Sequence, residues 1–171
     1  MLPLKIHEVP SGTRCFDWKV PDEWNVSEAW IRDESGKDIV NFKDNNLHLM
    51  GYSTPVSGHF AYRDLKKNLF SLPDHPDWIP YRTSYYHPRW GFCLTHKVLE
   101  SLDPECNYEV RIDSSLEPGS MTYADLVLPG ESEDEVLIST YICHPSMANN
   151  ELSGPLVTAF LYRELAKNPS R

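Results

Sequence analysis

Val136-Leu-Ile-Ser-Thr-Tyr-Ile-Cys-His144 is an apolar run rich in β-branched residues that stops at a histidine, and Pro145-Ser-Met-Ala-Asn149-Asn150-Glu151-Leu-Ser153-Gly154-Pro155 follows it. An apolar run, a polar loop and then a segment with Pro just inside its start predict strand, loop, helix. Val136 to Cys143 is apolar on both faces, as a central strand buried on both sides requires. Leu156, Val157, Phe160, Leu161 and Leu165 recur at helical spacing, so the closing helix is expected to lay one apolar face on that sheet and to end at Asn168-Pro169. His144 then stands at the carboxyl end of a strand. In α/β sheets, ligands and metals bind in the crevice outside those ends.

One strand and one helix of this kind do not complete a doubly wound sheet, because each face of such a sheet needs a covering layer. The chain therefore reads as a fragment stopping after the first buried βα unit of a larger domain. In an isolated monomer the apolar faces around Val136 to Cys143 and Leu156 to Leu165 are expected to be exposed, with poor solubility or self-association as the result.

The first two thirds of the chain are β-rich and irregular. Leu4 to Val9, Val26 to Arg32, Asp38 to Phe42 and Leu47 to Tyr52 are short strand candidates, and Glu34-Ser-Gly-Lys37 is a hairpin turn between the second and third. Tyr62 to Phe70 places Leu65, Leu69 and Phe70 on one helical face, and Thr95 is the expected N-cap of a short helix carrying Val98, Leu99 and Leu102. The prolines between Leu72 and Phe92 forbid a central strand or helix, so that stretch is expected to be a packed loop. Tyr108 to Asp113 and Met121 to Leu128 read as a strand pair joined across Leu116-Glu-Pro-Gly119, ahead of an acidic turn at Glu131 to Glu135.

At 171 residues, 40% hydrophobic and 12% aromatic, the chain can build a core as one domain or as a domain plus a piece of another. A net charge of -9 and a pI near 5.2 argue against nucleic acid and against anionic membrane surfaces. Cys15, Cys93, Cys106 and Cys143 form no C-x-x-C pair and read as reduced core thiols of a cytoplasmic protein. The amino terminus lacks the charged head and apolar centre of a secretion signal, and no stretch is long enough to span a bilayer, so a soluble intracellular protein is expected.

Several candidate residues have an ordinary structural role available. A histidine at a strand end beside Pro and Ser can be a hydrogen-bonded loop residue, and Asn149, Asn150 and Ser153 can cap a helix ahead of Pro155. His59 and Asp74-His-Pro-Asp77 have no second ligand at metal spacing. Tyr85, Tyr86, Trp78 and Trp90 can form either a sugar- or peptide-stacking wall or a satellite core under the long loop. No Gly-rich phosphate loop follows a strand, and no Ser or Cys nucleophile sits with a recognisable base.

Cys143-His-Pro-Ser-Met-Ala-Asn-Asn-Glu-Leu-Ser-Gly154 resembles the first metal-ligand segment of co-catalytic zinc aminopeptidases. With Pro10-Ser-Gly-Thr, Phe16-Asp-Trp-Lys-Val-Pro, Asn46-Leu-His-Leu, Tyr52-Ser-Thr-Pro-Val, Ile79-Pro-Tyr-Arg-Thr-Ser-Tyr-Tyr, Trp90-Gly-Phe-Cys-Leu and Ile112-Asp-Ser-Ser-Leu-Glu-Pro-Gly, the whole chain resembles the amino-terminal part of a bacterial aminopeptidase-like family associated with polysaccharide biosynthesis. That resemblance implies a mixed α/β chain: a β-rich inserted module over residues 11–118, and an incomplete piece of a zinc-exopeptidase-type α/β domain from residues 1–10 and 119–171.

By the same resemblance, His144 is a zinc ligand and Asn150 occupies the place of the aspartate that bridges two metals. A neutral amide offers one carbonyl oxygen and no charge where a carboxylate offers two anionic oxygens. Glu151, next in the chain, is the possible substitute ligand. Ser146 stands where an aspartate commonly orients the imidazole. The implied chemistry is metal-assisted hydrolysis of a peptide or amide substrate, with the general base and remaining ligands downstream, so the fragment alone is expected to be inactive. The alternative is a non-catalytic relative whose β-rich insert binds a peptide, sugar or partner subunit.

Overall fold

In the stretch Asn107–Glu117 (β9), Tyr108, Val110 and Ile112 are buried and the residues between them are not, the period-two pattern of a strand packed on one face. The computed structural model describes residues 2–144 and 147–167. It falls into two compact units: Pro10–Ser120, and the described residues on either side of that stretch.

In the larger unit β9 is hydrogen-bonded along both edges. Glu23–Arg32 (β4) runs antiparallel on one side and Val56–Ala61 (β6) on the other, and Asp38–Asn41 (β5) continues the sheet beyond β4, giving the order β5-β4-β9-β6. Register places Ala29 and Val56 on either side of Ile112, Ile31 and Gly58 on either side of Val110, and Val40 beside Ile31. These rows of small and branched side chains form the sheet's inner face. Leu49, Leu65, Leu69, Phe92, Leu94 and Leu102 pack against it. They come from Tyr62–Leu65 (α1), Leu69–Phe70 (β7), Phe92–Cys93 (β8), the ends of His96–Glu100 (α2) and the loops between. On the other face Arg111 is paired with Glu28, and Arg32 lies over the Trp30 ring at 3.9 Å.

Local chemistry fixes the ends of these elements. Gly36 adopts φ +82° in the turn between β4 and β5, and Asp33 Oδ1 accepts the N–H groups of Ser35 and Lys37, so the hairpin expected there is present. Thr95 caps α2 as expected, accepting the Val98 N–H at 3.2 Å.

Three expectations fail for identifiable reasons. Leu47 to Tyr52 is not a strand: Asn45 accepts the Leu47 N–H and turns the chain into a 3₁₀ segment at Asn46–His48, leaving isolated bridges at Leu49 and Gly51. Tyr62 to Phe70 is not one helix, because α1 tightens into a 3₁₀ turn and then extends as β7, parallel to β8. Strand Ser120–Asp125 (β10) does not pair with β9, whose edges are both taken; it pairs with Lys5–Pro10 (β1). The short hairpin Arg14–Cys15 (β2) and Trp18–Lys19 (β3) completes the larger unit.

In the smaller unit, the β1/β10 pair is tied by Thr122 donating to Glu8 at 2.8 Å, by His7 bonding Asp125 and by His7 stacking on Tyr123 at 4.6 Å. Helix Ala148–Ala166 (α3) follows. Between β10 and α3 the described residues form no strand, which corrects the reading of Val136 to Cys143 as a buried central strand. A strand of that kind needs a hydrogen-bonding neighbour, and no described strand runs beside it. Val136 and Leu137 are each 90% exposed, as are large parts of Leu156, Val157 and Phe160 on α3, in line with the exposure expected of an isolated chain.

Among the cysteines, Cys106 packs half-buried against the core and Cys93 is a fully buried core thiol. Burial pushes it up to about 12, whereas Cys15 and Cys143 are exposed and all four are free. No helix among the described residues is long and apolar enough to cross a membrane.

Phe92 is fully buried at the junction of the sheet and the covering loops. Phe92→Ala is expected to destabilise the larger unit by about 3–5 kcal/mol. Urea unfolding should show a lower midpoint with an unchanged slope; an unchanged midpoint would show that the ring does not anchor this core.

Candidate metal centre

Helix α3 starts at Ala148, earlier than the position of Pro155 suggests, so Asn149, Asn150 and Ser153 lie inside it and cap nothing at its start. Met147 is the N-cap and its carbonyl receives the N–H groups of Asn150 and Glu151. Pro155 sits within the helix and lacks the N–H that would reach back to Glu151. This early start turns Glu151 inward. It is only 5% exposed, while Asn150 faces out.

The Glu151 carboxylate clamps the end of the preceding segment. Its Oε2 accepts the backbone N–H of Cys143, and its Oε1 lies 2.5 Å from His144 Nδ1. Burial by itself would raise the Glu151 carboxyl; the bonds from the Cys143 N–H and from the ring and backbone of His144 outweigh it and hold the group below the ordinary glutamate range. Glu151 is therefore a carboxylate at neutral pH. The Cys143 Sγ lies 3.3 Å from His144 Nδ1 and 3.8 Å from Nε2. Surrounding protein atoms, and then the Glu151 charge, push its thiol up.

Tyr141 presents its ring edge-on to His144, at 5.7 Å between centroids, and its hydroxyl donates to Asn150 Oδ1 at 3.3 Å. Gly154 permits the close approach of this segment to the helix: a Cβ there would stand 2.1 Å from Thr140 Oγ1 and 3.2 Å from Thr140 Cβ.

Cys143, His144 and Glu151 each offer one ligand atom, all within 4.8 Å of one another, and among the described residues they are the one such group of His, Cys, Asp or Glu. Thiolate, imidazole and carboxylate are all zinc ligands. Bonds of about 2.0–2.3 Å in a tetrahedron set ligand atoms roughly 3.3–3.8 Å apart, so the donor types and the sulfur–imidazole spacing fit zinc, while the imidazole and carboxylate, hydrogen-bonded at 2.5 Å, have to move apart to share an ion.

Of the residues singled out in the sequence, the structure brings Glu151 onto His144 and engages Asn150 with Tyr141. Ser146 lies outside the described residues. Cys143 was read only as a core thiol, although its place beside His144 was the available signal. Elsewhere Asp77 pairs with Lys97 at 2.6 Å and His75 stacks on Trp78 at 4.1 Å. Trp90 packs on Phe60 at 5.3 Å and Tyr85 on Tyr52 and Tyr86 at 4.9 Å each, so Trp90 and Tyr85 are half-buried in packed aromatic groups, whereas Trp78 and Tyr86 are 61% and 73% exposed.

In an unobstructed helix interior, Gly→Ala is stabilising by roughly 1 kcal/mol. Gly154→Ala is expected to have the opposite sign here and to reduce stability by about 1–3 kcal/mol, as overpacking does. Thr140→Ala in the same chain should restore most of the loss. A stabilised Gly154→Ala single variant, followed by the helical circular-dichroism signal on heating, would show that the contact is absent.

Comparison with known proteins agrees with this architecture. A protein of Clostridium acetobutylicum described as "Putative polysaccharide biosynthesis protein with aminopeptidase-like domain" is 49% identical over 166 residues, covering 97% of this chain and 38% of that protein. A crystal structure of a "putative peptidase" from Clostridium acetobutylicum superposes with a TM-score of 0.89 at 49% identity, covering 96% of this chain and 39% of that one. This chain thus spans less than half the length of the relatives it matches. The family profile that matches residues 23–115 lies within the larger unit and takes in more than half of the chain. The chain belongs to the family described as "Domain of unknown function (DUF2172)".

Proposed function

We propose that this chain is the amino-terminal part of a zinc-dependent aminopeptidase-like hydrolase that cleaves a peptide or amide bond. The observation that carries this reading is the His144 imidazole held at 2.5 Å by the buried Glu151 carboxylate, at the foot of a long helix. Its relatives' descriptions as aminopeptidase-like and as a peptidase support it. In this reading Glu151 supplies the carboxylate that position 150 lacks, and Asn150 holds Tyr141 against the site.

A zinc ion bound here would polarise a scissile carbonyl and lower the pKa of a bound water. The work of this chain's own residues is positional. Glu151 fixes the imidazole through one oxygen and the Cys143 backbone through the other, so ring and helix start move as one body. Tyr141 walls one side of the ring. In this reading further ligands and a general base come from the part of the longer relatives that this chain does not cover, so the 171-residue chain by itself turns over no substrate.

The larger unit is, in the same reading, a module inserted early into the α/β domain. Its support is topological: β1 ends where the unit begins, β10 starts where it ends, and the two pair with each other. We place the protein in the cytoplasm, where four free cysteines stay reduced. The exposed apolar residues of α3 and of Val136 to Ile142 make self-association of the isolated chain the expected behaviour. A second reading, a non-catalytic binding module, is favoured by the neutral Asn150 alone.

Zinc binding by equilibrium dialysis tests the choice. The wild-type chain should hold zinc. His144→Ala and Glu151→Gln should each weaken it by more than the roughly 10–100-fold that loss of even an outer-shell partner costs. A wild-type chain that binds no zinc, together with an Asn150→Asp variant that does, would favour the binding module.

A further inference from the structure

The donor set on this chain differs in kind from a pair of carboxylate-bridged cations. The carboxylate stands at 151 rather than 150, and a sulfur lies beside the ring: Cys143 Sγ is 3.3 Å from His144 Nδ1, itself 2.5 Å from Glu151 Oε1. We propose that the Cys143 thiolate is a direct ligand of the cation, making Cys143, His144 and Glu151 a mononuclear, sulfur-containing centre. This rests on the metal-binding reading above and specifies its ligands.

The geometry supports it from three sides. The ligand atoms converge to within 4.8 Å of one another. The Cys143 backbone is fixed by its N–H bond to Glu151, so the side chain carrying the sulfur is anchored by the same carboxylate that holds the imidazole. Finally, Asn150 Oδ1 accepts the Tyr141 hydroxyl, which leaves that amide serving the wall of the site rather than bridging cations. In the binding step a divalent cation enters where Nδ1 and Oε1 share a proton. That proton and the Cys143 thiol proton leave to solvent, the ring keeps its remaining proton on Nε2 and stays neutral, Nδ1 and Oε1 move apart, and the sulfur, nitrogen and oxygen lone pairs go to the metal; nothing is oxidised or reduced.

Ligand softness makes the consequence specific. A sulfur, nitrogen and oxygen set prefers zinc or cobalt, whereas two oxygen-rich carboxylate sites accept manganese or magnesium. One metal per chain and discrimination against magnesium follow.

Cobalt(II) titration of the purified chain reads this directly. The wild type should bind one equivalent, giving visible d–d absorption together with an intense near-ultraviolet sulfur-to-cobalt charge-transfer band. Cys143→Ser should lose that band, keep the d–d absorption from the remaining ligands, and bind zinc about 10–100-fold more weakly, a range of the size seen when metal-site partners are removed. Matching far-ultraviolet circular dichroism of the two proteins controls for folding. Cobalt bound by the wild type with d–d absorption but no charge-transfer band would overturn the sulfur ligand while leaving the metal site at His144 intact. A band that persists in Cys143→Ser would assign the sulfur to another cysteine and equally overturn it. No cobalt binding at all would overturn both this centre and the metal-dependent function it rests on.

Discussion

The saturation of β9 organises this chain. Both of its edges are hydrogen-bonded, to β4 and to β6, and its alternating Tyr108, Val110 and Ile112 supply the inner face around which the larger unit packs. A strand with two occupied edges has no ladder groups left to offer. Strand β10 follows it within a few residues, yet it has to seek another partner, and it finds β1. The chain thereby returns beside its own beginning before it runs on toward His144. Pro118-Gly119 permits the change of sheet: a Cβ at Gly119 would fall within 2.5 Å of the Glu23 side chain, whose carboxylate also receives the Ser120 N–H.

Much of the larger unit was legible because its signals are local. The strands expected at Val26 to Arg32 and Tyr108 to Asp113, the turn containing Gly36 and the Thr95 cap each depend on a handful of adjacent residues, and each is present in the structure. The failures are of two kinds. At Leu47 to Tyr52 an Asn45 side-chain bond outcompeted an apolar pattern, a contest between neighbours that composition alone does not decide. At β9 and β10 the hairpin reading was locally sound and lost to a partner about a hundred residues away, and long-range pairing leaves no mark on a short window.

The site divides along the same line. His144 was singled out by its place after an apolar run, and the structure shows it in the middle of the one metal-capable group among the described residues. Glu151 was read as the possible substitute ligand from its place beside Asn150, and its burial was invisible because Pro155 was taken as the first turn of the helix. With the helix starting at Ala148, Pro155 is instead an interior residue that offers no N–H to the Glu151 carbonyl. Cys143 was misread because the apolar run suggested a buried strand, and a thiol in such a strand packs against its sheet.

One residue along an α-helix is a rotation of about 100° and a rise of about 1.5 Å, so a carboxylate at 151 and one at 150 point to different places. Here position 150 faces outward to Tyr141 and position 151 inward to His144. Moving the charge by one position therefore exchanges a surface contact for a buried one. The first turn of a helix favours negative charge there, and the N–H of Cys143 adds a second compensation. A buried carboxylate so supported can stay ionised without a cation, which is why the clamp on His144 is a property of the polypeptide itself. On the metal-binding reading proposed above, a cation would meet donor atoms already gathered by the helix start.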